Sequence, residues 1–151
     1  MQYLLMLYAD QSAGLKIPAD AMAKVMDLMG AYQSSLEKAG AFVMTSPLDL
    51  VGNARTLRMQ GGTIAEPSPG VFVNQGGELA VHDGPYADTR EQLGGFYIIE
   101  APDMQTALDW ARQCPAAQWG PIEVRAMKPG FKPAQKTSRR NVEVLVELPS
   151  L

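Results

Sequence analysis

Gly95–Ala126, reading GFYIIEAPDMQTALDWARQCPAAQWGPIEVRA, holds three consecutive elements with different periods. Gly95–Glu100 is short and almost continuously apolar, the pattern of a buried strand. Residues 102–113 then place Met104, Ala107, Leu108 and Ala111 at helical spacing. Asp103 stands at the N-cap position and Pro115 closes the helix. Ile122–Ala126 alternates, as a half-buried strand does. Strand, helix and strand in this order form half of an α+β sandwich.

The N-terminal part repeats the order. Residues 2–8 read as a buried strand that Asp10–Gly14 breaks. Pro18 sits where a first helical position would be, its φ preset. Met22, Val25, Met26, Met29 and Leu36 recur at helical spacing over residues 18–39, and Gly40 ends the helix in a left-handed turn. The Met22, Met26 and Met29 stripe is expected in the core, since methionine fills irregular gaps. Cys114 is also expected at the core or its boundary. Ala41–Ser46 reads as a second strand, stopped by Pro47. Between the halves lie short apolar patches at residues 56–60, 71–73 and 78–82. Gly61-Gly62 and Gly76-Gly77 read as turns between them, and Glu66–Gly70 as loop. The expected class is α+β: a ferredoxin-like βαβ-hairpin-βαβ sandwich with helices on one face of a mainly antiparallel sheet.

Composition narrows the function. A chain of 151 residues makes one ordinary domain, and 46% hydrophobic residues suffice for its core. A net charge of −3 argues against binding to nucleic acid. One cysteine excludes an internal disulfide, and one histidine excludes the usual zinc sites. No apolar run approaches the roughly 20 residues of a membrane span. The first eight residues lack a basic leader and a small-residue cleavage site, so a cytoplasmic protein is expected. No phosphate loop or dinucleotide fingerprint is present, so no cofactor is expected. The composition shifts near residue 128. Lys128–Arg140 holds five basic residues, two prolines and no acidic residue. Val142, Val144, Val146 and Leu148 then alternate. The expected division is a domain over residues 1–128, then a linker and C-terminal strand over 129–151. That strand is expected to pair with a sheet edge, on a partner subunit.

The densest polar cluster is His82–Gly95, between two expected strands. It holds the one histidine with Asp83, Asp88, Arg90 and Glu91. A carboxylate near a histidine can orient it and raise its basicity, and two close carboxylates can push one proton affinity upward. The same residues also have structural readings. Asp-Gly-Pro makes a turn unaided, through Asp side-chain bonds, Gly freedom and the Pro angle. His82 and Asp83, adjacent on a strand, point to opposite faces. Arg90 and Glu91 fit a solvated face or a structural ion pair.

Asp83–Glu100, DGPYADTREQLGGFYIIE, resembles the DGPF-type branch of the YCII-related family. That branch carries Asp-Gly-Pro-Phe, then an acidic residue, a basic residue and Glu-Gln-Leu-Gly-Gly; Tyr86 replaces the phenylalanine here. Ala107–Ala111, Cys114–Ala117, Ile122–Arg125, Lys38–Gly40 and the opening strand also fit, so the resemblance covers about residues 1–127. It implies a ferredoxin-like domain that dimerises through its sheets into a dimeric α+β barrel. Better-understood relatives resemble small enzymes with a His–Asp pair, the histidine in the first helix and the aspartate three residues after Gly-Pro. Asp88 matches that aspartate. The first helix here has no histidine, residues 62–77 look inserted, and the tail after 130 is extra. Members of the branch are associated with alternative sigma factors, which implies a regulatory or ligand-sensing role.

Two functional readings follow. One is a small-molecule-binding homodimer with lyase- or isomerase-like acid/base chemistry. Asp88 would move the proton, Asp83 would organise the loop and His82 would supply the second group. Tyr86, Arg90 and Glu91 would contact an anionic or phenolic ligand. The other is a non-catalytic ligand-sensing or partner-binding module linked to transcription.

Overall fold

The computed structural model describes residues 1–130. The expected tail strand, 141–148, lies outside the described residues. The apolar run of residues 2–8 becomes β1 (Gln2–Ala9), an inner strand of a four-stranded antiparallel sheet. Its neighbours are β7 (Gln92–Glu100) and β8 (Ile122–Ala126), and β2 (Phe42–Pro47) pairs outside β7. The order β2-β7-β1-β8 is the ferredoxin-like arrangement read from the sequence. Two crossovers supply the helices α2 (Ala19–Lys38) and α3 (Met104–Gln113).

Strand alternation decides which side chains the helices cover. Tyr3 and Leu5 on β1, with Tyr97 and Ile99 on β7, are buried; Leu36, Tyr32, Ala107, Ala111 and Cys114 complete the core. Each fully buried Leu or Ile contributes about 1.5–3 kcal/mol. The Tyr32 hydroxyl donates to the Trp110 carbonyl at 2.9 Å, and its ring meets Tyr97 edge-on at 5.3 Å. Burial pushes the Tyr32, Tyr97 and Cys114 ionisations upward, because the charged forms would lose water.

Several helical expectations are corrected. Pro18 is the N-cap, with extended ψ of 153°, and the helix begins at Ala19. Of the methionine stripe only Met29 packs on the core; Met26 is 62% exposed and Met22 sits at the surface. Periodicity found the helix and its buried Leu36, but the burial is confined to the C-terminal half, where Tyr32 and Leu36 meet the core and Met29 packs beside them. In α3, Ala107 and Ala111 are buried with Trp110 beside them, whereas Met104 and Leu108 are exposed. The segment Gln11–Gly14, read as a break, is a short helix α1. Asp10 caps it, its carboxylate accepting from the amides of Ser12 and Ala13.

The inserted segment is an arm. β3 (Arg55–Gln60) pairs antiparallel with β6 (Glu78–Asp83), and β4 (Thr63–Ser68) with β5 (Val71–Gln75). Gly61-Gly62 and Gly76-Gly77 are therefore not hairpin ends. They join the two strand pairs, and the tip turn is Pro69-Gly70. The Glu66–Gly70 loop is corrected too: Glu66, Pro67 and Ser68 belong to β4. Pro67 is tolerated because the ladder shifts register between Ala65 and Ser68, and an irregular edge needs no amide there. Among the described residues, no helix is long and apolar enough to cross a membrane.

Candidate functional site

The site begins at a β-bulge. Leu7 pairs with Gly95 and Tyr8 with Leu93, so Gly94 is left over on β7. The extra residue turns Leu93 to the side of Tyr8, on the face opposite the helices. The Gly94 carbonyl accepts from the Leu48 amide at 2.9 Å, which straps the chain after β2 against the end of β1 and β7. Gln11 reinforces the strap: its Oε1 accepts from the Val51 amide at 3.0 Å. Asp49 folds the next residues into a 3-10 turn, accepting from the Leu50 amide at 2.8 Å and the Asn53 side-chain amide at 3.1 Å.

The opposite wall is the loop after β6. Gly84 has φ of 113°, a left-handed value that excludes ordinary side chains. Its amide donates to the Ala54 carbonyl at 2.8 Å, and its carbonyl accepts from the Thr56 hydroxyl at 2.8 Å. Asp83 forms an ion pair with Arg55 at 3.0 Å. The Asp-Gly-Pro turn is thus pinned to the start of β3, and Pro85, Tyr86 and Ala87 project from it. At the loop's other end the Thr89 hydroxyl donates to the Glu91 carbonyl at 2.6 Å, and the Gln92 side-chain amide donates to the Thr89 carbonyl at 2.8 Å.

Between the two walls is a cleft of about 480 Å³. Tyr8 and Leu93 line it from the sheet, Leu48, Leu50, Val51 and Ala54 from the strap, and Pro85, Tyr86 and Ala87 from the loop. The lining is mainly apolar, with Asp49, Asn53, Thr89 and Gln92 as its polar members. A smaller cleft of about 230 Å³ lies on the arm, lined by Thr56, Arg58, Ala80, His82 and Tyr86. Tyr86 borders both.

The six residues singled out from the sequence fall in different places. Tyr86 is central and 78% exposed. His82 lines the smaller cleft. Asp83 lines neither cleft and faces Arg55. Asp88 sits between two lining residues, Ala87 and Thr89, without lining the cleft itself. Arg90 lies 3.5 Å from Asp10. The Asp10 carboxyl is held below its ordinary range, first by the Ser12 hydroxyl and the Ala13 amide, with Arg90 a smaller contributor. Glu91 is exposed, and its backbone carbonyl holds the loop. His82, Asp83 and Asp88 do not meet on one cavity. Arg58, Tyr8 and the strap were not visible as site residues, because only strand pairing brings them to the loop.

The model of the YCII-related domain matches residues 1–130. An uncharacterized protein of Rhizobium meliloti (strain 1021) is 32% identical over 139 residues, 89% of this chain and the whole of that one.

Proposed function

The chain belongs to the YCII-related family, and on that premise we propose that it binds a small, largely apolar molecule in the cleft between the strap and the Tyr86 loop. The observation that carries this reading is the cleft itself. Its size lies in the range of small-molecule sites, and its walls combine apolar side chains with a few polar groups. Its bulge, strap and loop are each held by their own hydrogen bonds, so little order would have to be gained on binding.

In this reading the sequence motif is of the DGPF type and its parts divide the work. Asp83 and Gly84 fix the turn, Tyr86 supplies an aromatic wall, and Asp88 is the carboxylate at the rim. Arg90 and Glu91 sit further out, where they meet an incoming polar group. The protein pairs with a second copy through the sheet face opposite the helices. Leu4, Met6, Phe96 and Ile98 lie on that face, and they are only half-buried in the single chain.

An acid/base enzyme is the second reading. One observation favours it: among the described residues, the Asp88 carboxylate has neither an ion-pair nor a hydrogen-bond partner. A carboxylate beside a ligand cleft and uncommitted elsewhere can serve as a general base towards a bound ligand.

The test is native mass spectrometry of the protein as purified, beside Ala87→Trp, which fills the cleft from an exposed loop. A bound small molecule in the first and none in the second supports the reading; equal retention in both overturns it. Chemical conversion of the captured molecule by the wild type but not by Asp88→Asn would establish the enzyme over the binding module.

A further inference from the structure

The smaller cleft on the arm has a composition the larger one lacks. In register, Thr56 faces His82 and Arg58 faces Ala80, so Thr56, Arg58, His82 and Ala80 share one face of the β3–β6 pair. Arg58 and His82 are diagonal neighbours there, about 7–8 Å apart on a ladder of this kind. Tyr86 folds back from the loop onto this face, and the Arg58 guanidinium lies 5.9 Å from its ring centroid. A Cβ at Gly84 would stand 4.0 Å from the His82 Nε2, so the imidazole reaches the start of the loop.

Arg58 is also set apart by charge. Among the described residues, every other arginine stands beside a carboxylate: Arg55 at 3.0 Å from Asp83, Arg90 at 3.5 Å from Asp10, Arg112 at 3.7 Å from Asp109 and Arg125 at 3.7 Å from Glu123. Arg58 lies over the Tyr86 ring instead, and among the described residues its guanidinium donates to no side chain. Glu78, opposite Gln60, is the acidic residue on the same face and the other diagonal neighbour of Arg58, and no ion pair joins the two.

We propose that the ligand is an amphiphilic carboxylate, its apolar body in the cleft beside Tyr8 and Leu93 and its carboxylate on Arg58. This rests on the reading of the larger cleft as the ligand site. Tyr86 borders both clefts, so one molecule can lie along its ring and reach from one to the other. The guanidinium presents two parallel N–H donors to the two carboxylate oxygens. His82 and the Tyr86 hydroxyl can each donate one further bond. The cation–π contact with Tyr86 favours the guanidinium over the ring and leaves its N–H edge free.

The experiment titrates the full chain with 2-naphthoate and with its neutral counterpart 2-naphthamide, followed by heteronuclear NMR. Wild-type protein should bind both, the carboxylate about fivefold more tightly, the upper range of an exposed ion pair. Arg58→Gln should remove that preference, weakening the carboxylate more than the amide so that the two bind alike. The Arg58→Gln spectrum away from the arm reports that the variant is folded. If the variant keeps the preference, the carboxylate is held elsewhere and the inference falls while the cleft reading stands. If the amide causes no shifts around Tyr8, Ala54 and Leu93, the cleft reading falls and this inference with it.

Discussion

At the residue scale, two glycines have opposite demands. A Cβ on Gly120 would land on the Tyr8 carbonyl oxygen, and Pro121 next to it accepts from the Tyr8 amide at 3.0 Å. The start of β8 therefore closes against β1 only without a side chain. Gly120→Ala should destabilise by about 2 kcal/mol, the usual cost of forcing atoms into a packed site. Gly30, exposed in the middle of α2, has nothing within 4 Å of a built Cβ. Gly30→Ala should stabilise by about 0.5–1 kcal/mol through backbone entropy. Denaturant midpoints measure both changes, and equal signs would contradict the account.

Acid stability also belongs to single residues. Asp103 caps α3, accepting from the Thr106 amide at 2.8 Å, and that bond holds its carboxyl below the ordinary range. Asp10 is held low in the same way by Ser12. A carboxyl depressed in the folded state contributes stability above its unfolded value, about 3.9, and loses it as pH falls through the lower folded value. Stability should therefore decline below about pH 4. Asp103→Asn keeps a good cap but has no proton to take up. Its denaturation midpoint should match the wild type at pH 7 and fall less steeply under acid. An unchanged acid slope would show that Asp103 does not contribute.

At the element scale, the arm stands apart from the core. Gly62 and Gly77 have φ of 78° and 73°, and a Cβ on either would come within 2.7 Å of a backbone oxygen across the joint. The two strand pairs thus meet through glycine alone. Since β4 and β5 pair with each other, replacing residues 61–77 by Asn-Gly should leave a two-residue hairpin between Gln60 and Glu78. The shortened protein should melt within about 4 °C of the full chain, a change of under roughly 1 kcal/mol. Collapse of the fold would show that the arm is part of the core.

The same joint explains what the sequence could and could not convey. Local chemistry was legible: Asp103 as a cap, Gly40 with φ of 69°, the apolar runs of β1 and β7 and the alternation of β8. Pairing was not. Two glycines mean a turn in one chain segment, but a joint when another Gly-Gly lies opposite. Once the glycines were read as hairpin ends, Arg58 had no route to His82. The loop residues were visible as a polar cluster, yet their destinations depended on distant partners, Arg55 for Asp83 and Asp10 for Arg90. A bulge at Gly94 left no sequence signal beyond the glycine pair that contains it.

At the scale of the whole molecule, helices cover one face of the sheet and the proposed second copy covers the other. Two-fold pairing would set the face that carries Phe96 and Ile98 against the same face of the partner, which closes the assembly at two chains. Light scattering of the wild type should give the mass of two chains at micromolar concentration. Ile98→Glu puts a charge into that contact while its neighbours Tyr97 and Ile99 keep the helix-facing core. The variant should give the mass of one chain with an unchanged far-ultraviolet dichroism spectrum. A wild type of one-chain mass would remove the sheet-to-sheet pairing.

The cleft is where the three scales meet: a glycine bulge, a strap and a loop, and the family's fold that holds them. Amide chemical-shift mapping with 2-naphthamide tests it most directly, since the neutral probe asks only whether the apolar recess takes a ligand. The account predicts saturable shifts confined to Tyr8, the 48–54 strap, the 85–89 loop and Leu93, reduced by Ala87→Trp. Shifts centred on another part of the molecule, or the same shifts in Ala87→Trp, would contradict it.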